Sequence, residues 1–342
     1  MNQTFNDIDF GILDTLLKQE DVTDVSCKNG NEVWVTSNIN GHYCSSIKIH
    51  ENEITRIANQ IANKMQKEFN PSHPNLEGDI QNEDVDYRVG CVHQFLSPLG
   101  TTIVIRKVRK KCFLTYEHLI QDNSITKEAL DLLILATKGK ANLLFIGETG
   151  SGKTELLKFL MTYISVHEVV VTIEDSMEFN MHEVSPQNSV TSFRVRSNFS
   201  YSDIIAMSLR LNVQRILLQE ARGVEVNDLI DAMSTGHTVM TTMHARSADH
   251  VVSRIMQMIK NPNEEYTSLK KRIYALFDLI IRLDKFQTEE GIVRKVTSIT
   301  EFIYDPIQDK CESNEIYYCG KIKNHLSQTL SKQLLRNAEV KL

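Results

Sequence analysis

Apolar residues along the chain keep two different periods, and each period names an element. Glu32–Thr36 is a short β-branched run, and Ile47 and Ile49 alternate with polar neighbours, so both read as strands with one buried face. Ile54, Ile57, Ile61 and Met65 then recur at helical spacing and predict one amphipathic helix. Pro71 and Pro74 set a loop after it, and a further strand covers 102–105. From about residue 126 the texture changes. Apolar runs at Leu143–Ile146, Val169–Ile173, Ile216–Leu218 and Thr238–Thr242 alternate with helical stretches, among them Leu156, Leu157, Leu160, Met161 and Ile164 on one helix face. Short buried strands separated by helices predict a parallel sheet covered on its faces. The chain therefore divides into a small α+β domain over 1–108, a basic linker over 109–123 and an α/β domain over 124–342. The basic run Arg106–Lys111 falls where the linker is expected. It reads either as a solvated connection or as a contact for lipid headgroups or a nucleotide phosphate.

Composition changes this architecture little and narrows function more. A chain of 342 residues has room for two domains. Its 41% hydrophobic and 24% charged residues are globular, and 14 glycines and 6 prolines are too few for a collagenous or broadly disordered chain. The net charge of -6 argues against direct nucleic-acid binding, which calls for the opposite sign. No run of 18 apolar residues is present, and the acidic start MNQTFNDIDF lacks the basic and apolar regions of a secretory signal, so a cytoplasmic location is expected. Cys27, Cys44, Cys91, Cys112, Cys311 and Cys319 form no C-x-x-C pair and read as reduced thiols, some of them in the core.

The strongest chemical signal is GETGSGKT at 147–154, which fits the phosphate-loop pattern G-x-x-x-x-G-K-[ST]. It sits between a buried-strand run and an amphipathic helix, the context that pattern requires. Glycines let the backbone curl so that several N–H groups converge on one phosphate, and the helix N-terminus adds its positive dipole end. The expected nucleotide-binding set is Gly147, Glu148, Thr149, Gly150, Ser151, Gly152, Lys153, Thr154 and Glu155. Lys153 should reach the β- and γ-phosphates, and the Thr154 hydroxyl should ligate Mg2+.

A nucleotide site also needs carboxylates at the C-terminal ends of parallel strands. Three strand runs end in polar pairs: Glu174-Asp175, Gln219-Glu220 and Met243-His244. With these residues in place the chain resembles the type II/type IV secretion ATPase family, the cytoplasmic motors of pilus, secretion and conjugation machines. The matching segments are GETGSGKT at 147–154, TIEDSMEF at 172–179, SLRLNVQRILLQEARG at 208–223 and STGHTVMTTMHA at 234–245, in the family's order. Residues 102–107 (TIVIRK) resemble its segment before the linker.

The resemblance implies a RecA-like P-loop NTPase core with a smaller N-terminal α+β domain of PAS-like type. It implies ATP and Mg2+, a homo-oligomeric and hexameric ring, and inner-membrane partners at the cytoplasmic face of the membrane. By the same resemblance Glu220 orients or activates the attacking water, and Glu174 lies near metal and water. Thr154, Glu174 and Asp175 would hold Mg2+, some through water. His237 and His244 would sense the γ-phosphate or link subunits, and Arg222 follows the strand glutamate as family arginines do. Arg88 and Arg106 would present cations from the N-terminal domain to the nucleotide. Arg194 and Arg196 read equally as arginines acting in trans and as surface charges.

Two positions depart from the family pattern. Gln219 stands where glycine is usual, adding a side chain beside the expected phosphates, and Val213-Gln214 stands where Pro-Asp is frequent. The type II zinc insertion is absent, which favours the type IV secretion or tight-adherence pilus branches. Among function classes, a phosphotransferase would need an acceptor pocket and an arginine-rich lid, and no such insertion is visible. A nucleotide-binding switch with little hydrolysis rests on Gln219 alone. A ring ATPase that turns hydrolysis into domain motion fits every box.

Overall fold

The computed structural model describes residues 8–82, 85–259, 265–289 and 291–338. The chain divides into two units, 1–110 with 287–292, and 111–286 with 293–342.

In the first unit, a 3-10 turn at Gly11–Leu13 leads into the short helix α1 (Asp14–Leu17). The strands are β1 (Val22–Lys28), β2 (Glu32–Ser37) and β3 (Gly41–Lys48), then β4 (Asn75–Ile80), β5 (Val85–Val92) and β6 (Thr102–Arg109), with helix α2 (Glu51–Lys64) after β3. They form one antiparallel sheet in the order β3-β2-β1-β6-β5-β4. The apolar stripe of α2 buries Ile54, Ile57 and Ile61 in one cluster with Val25, Val35, Ile103 and Ile105. Strand alternation turns Val104 and Arg106 to the other, exposed face. The strands β4 and β5 carry no clean alternation, because Asp86 is buried and Gly78 and Gly90 interrupt the pattern.

The basic run Arg106–Lys111 begins inside a strand. Its residues Arg106–Arg109 belong to β6. Arg106 pairs with Asp24 at 2.7 Å, Lys107 donates to the Gln19 carbonyl at 2.6 Å, Arg109 donates to the Glu20 carbonyl, and Lys110 faces Asp86 at 3.4 Å. A strand placed beside acidic and carbonyl partners uses these charges locally. The rest of the expected linker carries helix α3 (Tyr116–Gln121), capped by the Thr115 side chain.

The second unit continues with α4 (Lys127–Lys138), β7 (Leu143–Ile146), α5 (Lys153–Met161), β8 (Val169–Glu174), α6 (Met181–Val184), β9 (Ser189–Arg194), α7 (Tyr201–Ser208) and β10 (Arg215–Leu218). Then come α8 (Glu225–Ser234), β11 (Thr238–Met243), α9 (Ala248–Met258), α10 (Tyr266–Leu276), β12 (Leu279–Thr288), β13 (Gly291–Asp305), β14 (Lys310–Tyr318), β15 (Lys321–Ile322) and α11 (Gln328–Ala338), the ends of β12 and β13 within 287–292 being counted with the first unit. The sheet order is β15-β14-β13-β12-β7-β11-β10-β8-β9, and β12, β7, β11, β10, β8 and β9 run parallel. The central strands β7, β10 and β11 are buried along their whole length, as strands covered on both faces must be. One apolar cluster joins α4, α5 and α11 to the sheet, and a second joins α7, α8, α9 and α10 to it. This is an α/β fold with a RecA-like core and a smaller N-terminal α+β unit.

Candidate functional site

Parallel strands place their C-terminal ends on one edge of the sheet, where the amide dipoles of the following helices point outward. On that edge β7 runs into Gly147, β8 into Asp175, β10 into Gln219-Glu220 and β11 into His244. Residues 147–152 form a tight loop that enters α5 through Gly152 at φ 95°. Gly147 has φ 146°, and a Cβ there would lie 2.1 Å from the Leu283 carbonyl oxygen of β12, so only glycine lets the two backbones approach. Ser151 is fully buried, and its hydroxyl has no hydrogen-bond partner among the described residues. A buried donor left open inside a glycine loop suits an anionic ligand.

The Lys153 side chain is folded into this loop, donating to the carbonyls of Gly147 at 2.9 Å and Glu148 at 2.7 Å. Burial lowers its ammonium pKa to about 8, against the opposing pull of the Glu220 and Glu148 carboxylates. His244 spans the site. Its Nδ1 lies 3.1 Å from the Gly147 carbonyl oxygen and its Nε2 lies 3.2 Å from a Glu220 carboxylate oxygen. One imidazole thus ties the phosphate loop to the strand glutamate, and Thr154 follows Lys153 in the first turn of α5.

The other residues singled out in the sequence fall into different settings. Glu174 is fully buried. One of its oxygens accepts from the Glu178 and Phe179 amides at 2.6 and 2.8 Å, while the other has no hydrogen-bond partner among the described residues. Burial raises its carboxyl to about 7. Asp175 forms an ion pair with Arg222, whose guanidinium also lies 6.0 Å from the Tyr201 ring. Arg194 donates to the Asp175 carbonyl at 3.2 Å. Gln219 does not offer its side-chain oxygen to the loop at 147–152. That oxygen accepts from the backbone amides of Asp175 and Ser176 at 3.1 and 3.4 Å, stitching β10 to the turn after β8.

His237 stands apart from His244. It precedes β11, at the opposite end of that strand from His244, roughly 20 Å away at the rise of a parallel strand. Its Nδ1 lies 3.1 Å from both Thr235 Oγ1 and the Ala232 carbonyl, closing the end of α8. Within one chain it does not reach the loop that His244 touches. Arg88 and Arg106 are register partners on β5 and β6, exposed on one face of the first unit's sheet.

Two residues on this edge escaped the sequence reading. Lys285 on β12 donates to the Thr149 carbonyl at 3.0 Å, and Arg294 on β13 donates to the Gly150 carbonyl at 2.8 Å. They lie 136 and 144 residues beyond their partners, and no local motif marks them. Among the described residues no group of three or more His, Cys, Asp or Glu could hold a metal ion by itself.

Comparison with known proteins bears on this arrangement. A protein named as a conjugal transfer protein of Mycobacterium tuberculosis is 27% identical over 252 residues, covering 72% of this chain and 71% of that protein. The type IV secretion system protein PtlH of Bordetella pertussis is 31% identical over 179 residues, covering 49% of this chain and 52% of its own length. Among solved structures, the ATPase DotB of Yersinia pseudotuberculosis superposes with a TM-score of 0.67 at 18% identity, covering 82% of this chain and 76% of that one. The pilus retraction motor PilT with bound ADP gives 0.64 at 17% identity, covering 96% and 87%. At these identities the structures establish a shared fold. The sequence family described as Type II/IV secretion system protein matches residues 36–333. A match over that span, on a chain that sets its phosphate loop, strand glutamate and second histidine on one sheet edge, makes the chain a member of the type II/IV secretion system protein family.

Proposed function

We propose that the protein is an ATP-hydrolysing motor of a type IV secretion, conjugation or pilus assembly machine, working as a hexameric ring. The observation that carries this reading is His244, in contact with both the Gly147 carbonyl and the Glu220 carboxylate. That contact supports a site in which loss of the γ-phosphate is felt at the glutamate that prepares water. The names of the relatives support the setting: one is a conjugal transfer protein, another belongs to a type IV secretion system, and the PilT structure holds ADP.

In this reading the loop amides and Lys153 hold the phosphates, and Glu220 orients the attacking water. Lys153 leaves its two carbonyl partners for the β/γ-phosphates when nucleotide binds. Mg2+, held by Thr154 and, through water, by the Glu174-Asp175 turn, would neutralise charge on the phosphate oxygens. Asp175 pairs with Arg222 through one of its two carboxylate oxygens. Arg88 and Arg106 are proposed to add cations to the nucleotide, Arg106 by exchanging Asp24 for a phosphate oxygen. His237 is proposed to act at a subunit boundary. A place at the cytoplasmic face of the membrane, beside inner-membrane partners, belongs to the same proposal. Among the described residues no helix is long and apolar enough to cross a membrane.

Nucleotide titration and phosphate release test the assignment together. Lys153→Ala should abolish tight ATP binding. Glu220→Gln should keep binding and lose at least about 100-fold in turnover, the scale of a general-base contribution. Equal ATP affinity in Lys153→Ala and wild type would remove the nucleotide site. Tight binding with no wild-type turnover would leave a nucleotide switch instead of a motor.

A further inference from the structure

Four consecutive carbonyls of the phosphate loop each accept a hydrogen bond from a basic side chain. Lys153 and His244 take Gly147, Lys153 takes Glu148, Lys285 takes Thr149 and Arg294 takes Gly150. Lys153 and His244 belong to the recognised boxes. Lys285 and Arg294 come from neighbouring strands of the same sheet, and nothing in the proposed chemistry yet uses them.

From this geometry we infer that Lys285 and Arg294 are positioning residues for the nucleotide phosphates, holding the loop's peptide planes so that their N–H groups face the anion. The inference rests on the nucleotide reading above and adds residues to it. A trans peptide is planar, with its C=O and N–H on opposite sides. A donor that fixes the Thr149 carbonyl therefore also turns the Gly150 amide to the opposite side. A donor on the Gly150 carbonyl likewise fixes the next peptide, whose Ser151 amide rests on the Glu148 carbonyl at 3.3 Å until an anion draws it off, as Lys153 is drawn off. Glycine makes such control necessary. Gly150 and Gly152 adopt φ 76° and 95°, and the freedom that lets these residues curl the loop lets the intervening peptides turn over as well. A carbonyl swung inward would present its negative end to a phosphate. External donors on the carbonyls select the amide-inward arrangement before the ligand arrives, which is preorganisation.

The strand β12 is built to deliver these donors. It pairs with β7 as far as Arg282 opposite Ile146, at the mouth of the loop. The Leu283 carbonyl then lies against Gly147, and Lys285, two residues on, reaches Thr149. On β13 the aliphatic stem of Arg294 packs by Gly152, with Cδ 3.3 Å from where a Cβ would stand, and its Nε meets Gly150. Burial lowers the Arg294 pKa, against the pull of Glu155, so this guanidinium has given up water to be there.

The bond used by Arg294 suggests a sharp test. Its Nε and the Nε2 of glutamine stand the same number of bonds from Cα, so Arg294→Gln can keep the donor and remove the charge. Arg294→Met keeps the length and removes the donor. ATP and ADP affinities, together with kcat and KM, would be measured on the full chain, with thermal unfolding as the folding control. Arg294→Met and Lys285→Met should each weaken both nucleotides about tenfold or more and raise KM with kcat nearly kept, the mark of uniform binding. Arg294→Gln should recover most of the loss. If Gln is no better than Met while Arg294→Lys restores affinity, the residue acts by charge on the phosphate and the positioning role is overturned. Wild-type affinity in both Met variants, with binding abolished in Lys153→Ala, sinks this inference alone. Equal binding by Lys153→Ala and wild type sinks the nucleotide reading with it.

Discussion

The two edges of the nine-stranded sheet are made from the same strands and treat polar groups in opposite ways. At the N-terminal edge, side chains bridge neighbouring strand starts. Asn142 accepts from the Val239 amide at 2.7 Å and donates to the Leu276 carbonyl at 2.8 Å, while its own amide donates to Asp278 at 2.7 Å. Gln214 accepts from the Val169 amide at 2.9 Å. Arg215, wholly buried, meets Glu168 through two bonds of 2.8 and 3.3 Å and the Thr137 carbonyl at 2.9 Å. At the C-terminal edge the buried hydroxyls of Ser151 and Ser176 and one oxygen of Glu174 have no hydrogen-bond partner among the described residues, and Lys153 rests on loop carbonyls. One edge is finished without a ligand. The other keeps its polar groups available for one, and the cost of leaving them so is borne by the rest of the fold.

The largest effect that would separate the edges comes from Arg215→Met. It strands a buried Glu168 carboxylate, so unfolding by urea should show a loss of about 3–5 kcal/mol. ADP affinity of the folded variant should stay at the wild-type value. The double variant Arg215→Met with Glu168→Leu should recover much of the stability, because an apolar pair of similar volume removes the uncompensated charge. If nucleotide affinity falls in step with stability, the edges are not independent and the comparison fails.

A smaller effect is expected at Gln219, on the other edge. Gln219→Gly restores the residue usual in the family and deletes the acceptor for the Asp175 and Ser176 amides. These are neutral bonds, worth about 1 kcal/mol. We expect kcat to fall about fivefold, on the order of 1 kcal/mol, with little change in melting temperature, since the freed turn carries Asp175 and follows Glu174. An unchanged kcat in steady-state phosphate release would show that the turn after β8 holds its place without the glutamine.

The contrast also explains what could be read from sequence. The loop at 147–154 and the residues after β8, β10 and β11 are contiguous segments whose chemistry follows from a strand ending where polar residues begin. They were legible for that reason, as was the parallel sheet between them. The N-terminal edge was not, because Asn142 meets Val239 and Asp278 only after the strands are laid side by side. His237 and His244 flank β11, so one short box sets a polar residue at each edge of the sheet. Lys285 and Arg294 left no local sign, since an exposed lysine and a half-buried arginine on strands are ordinary until the loop lies against them. Gln214 and Gln219, the two departures from the family pattern, also separate by edge: one closes strand starts and the other ties the functional turn.

The smallest effect concerns Asp278, and it tests whether the N-terminal edge is settled electrostatically as well as geometrically. Burial, against the Asn142 hydrogen bond and with help from Glu301, raises its carboxyl pKa to about 6 from the ordinary 3.8. Between these two values the folded chain holds a proton that the unfolded chain has released. Unfolding free energy therefore declines as pH rises through this window and is flat on either side of it. The stabilising share is complete below about 3.8 and gone above about 6. Asp278→Asn keeps an acceptor for the Asn142 amide and removes the charge. It should be more stable than wild type at pH 7 by roughly 1 kcal/mol after allowance for partial exposure to solvent. The gap should close as pH falls from 6.5 toward 4.5, in melting curves recorded at matched ionic strength. A difference in melting temperature that stays constant across that range would show that Asp278 ionises freely in the fold, leaving hydrogen bonding alone to finish the edge.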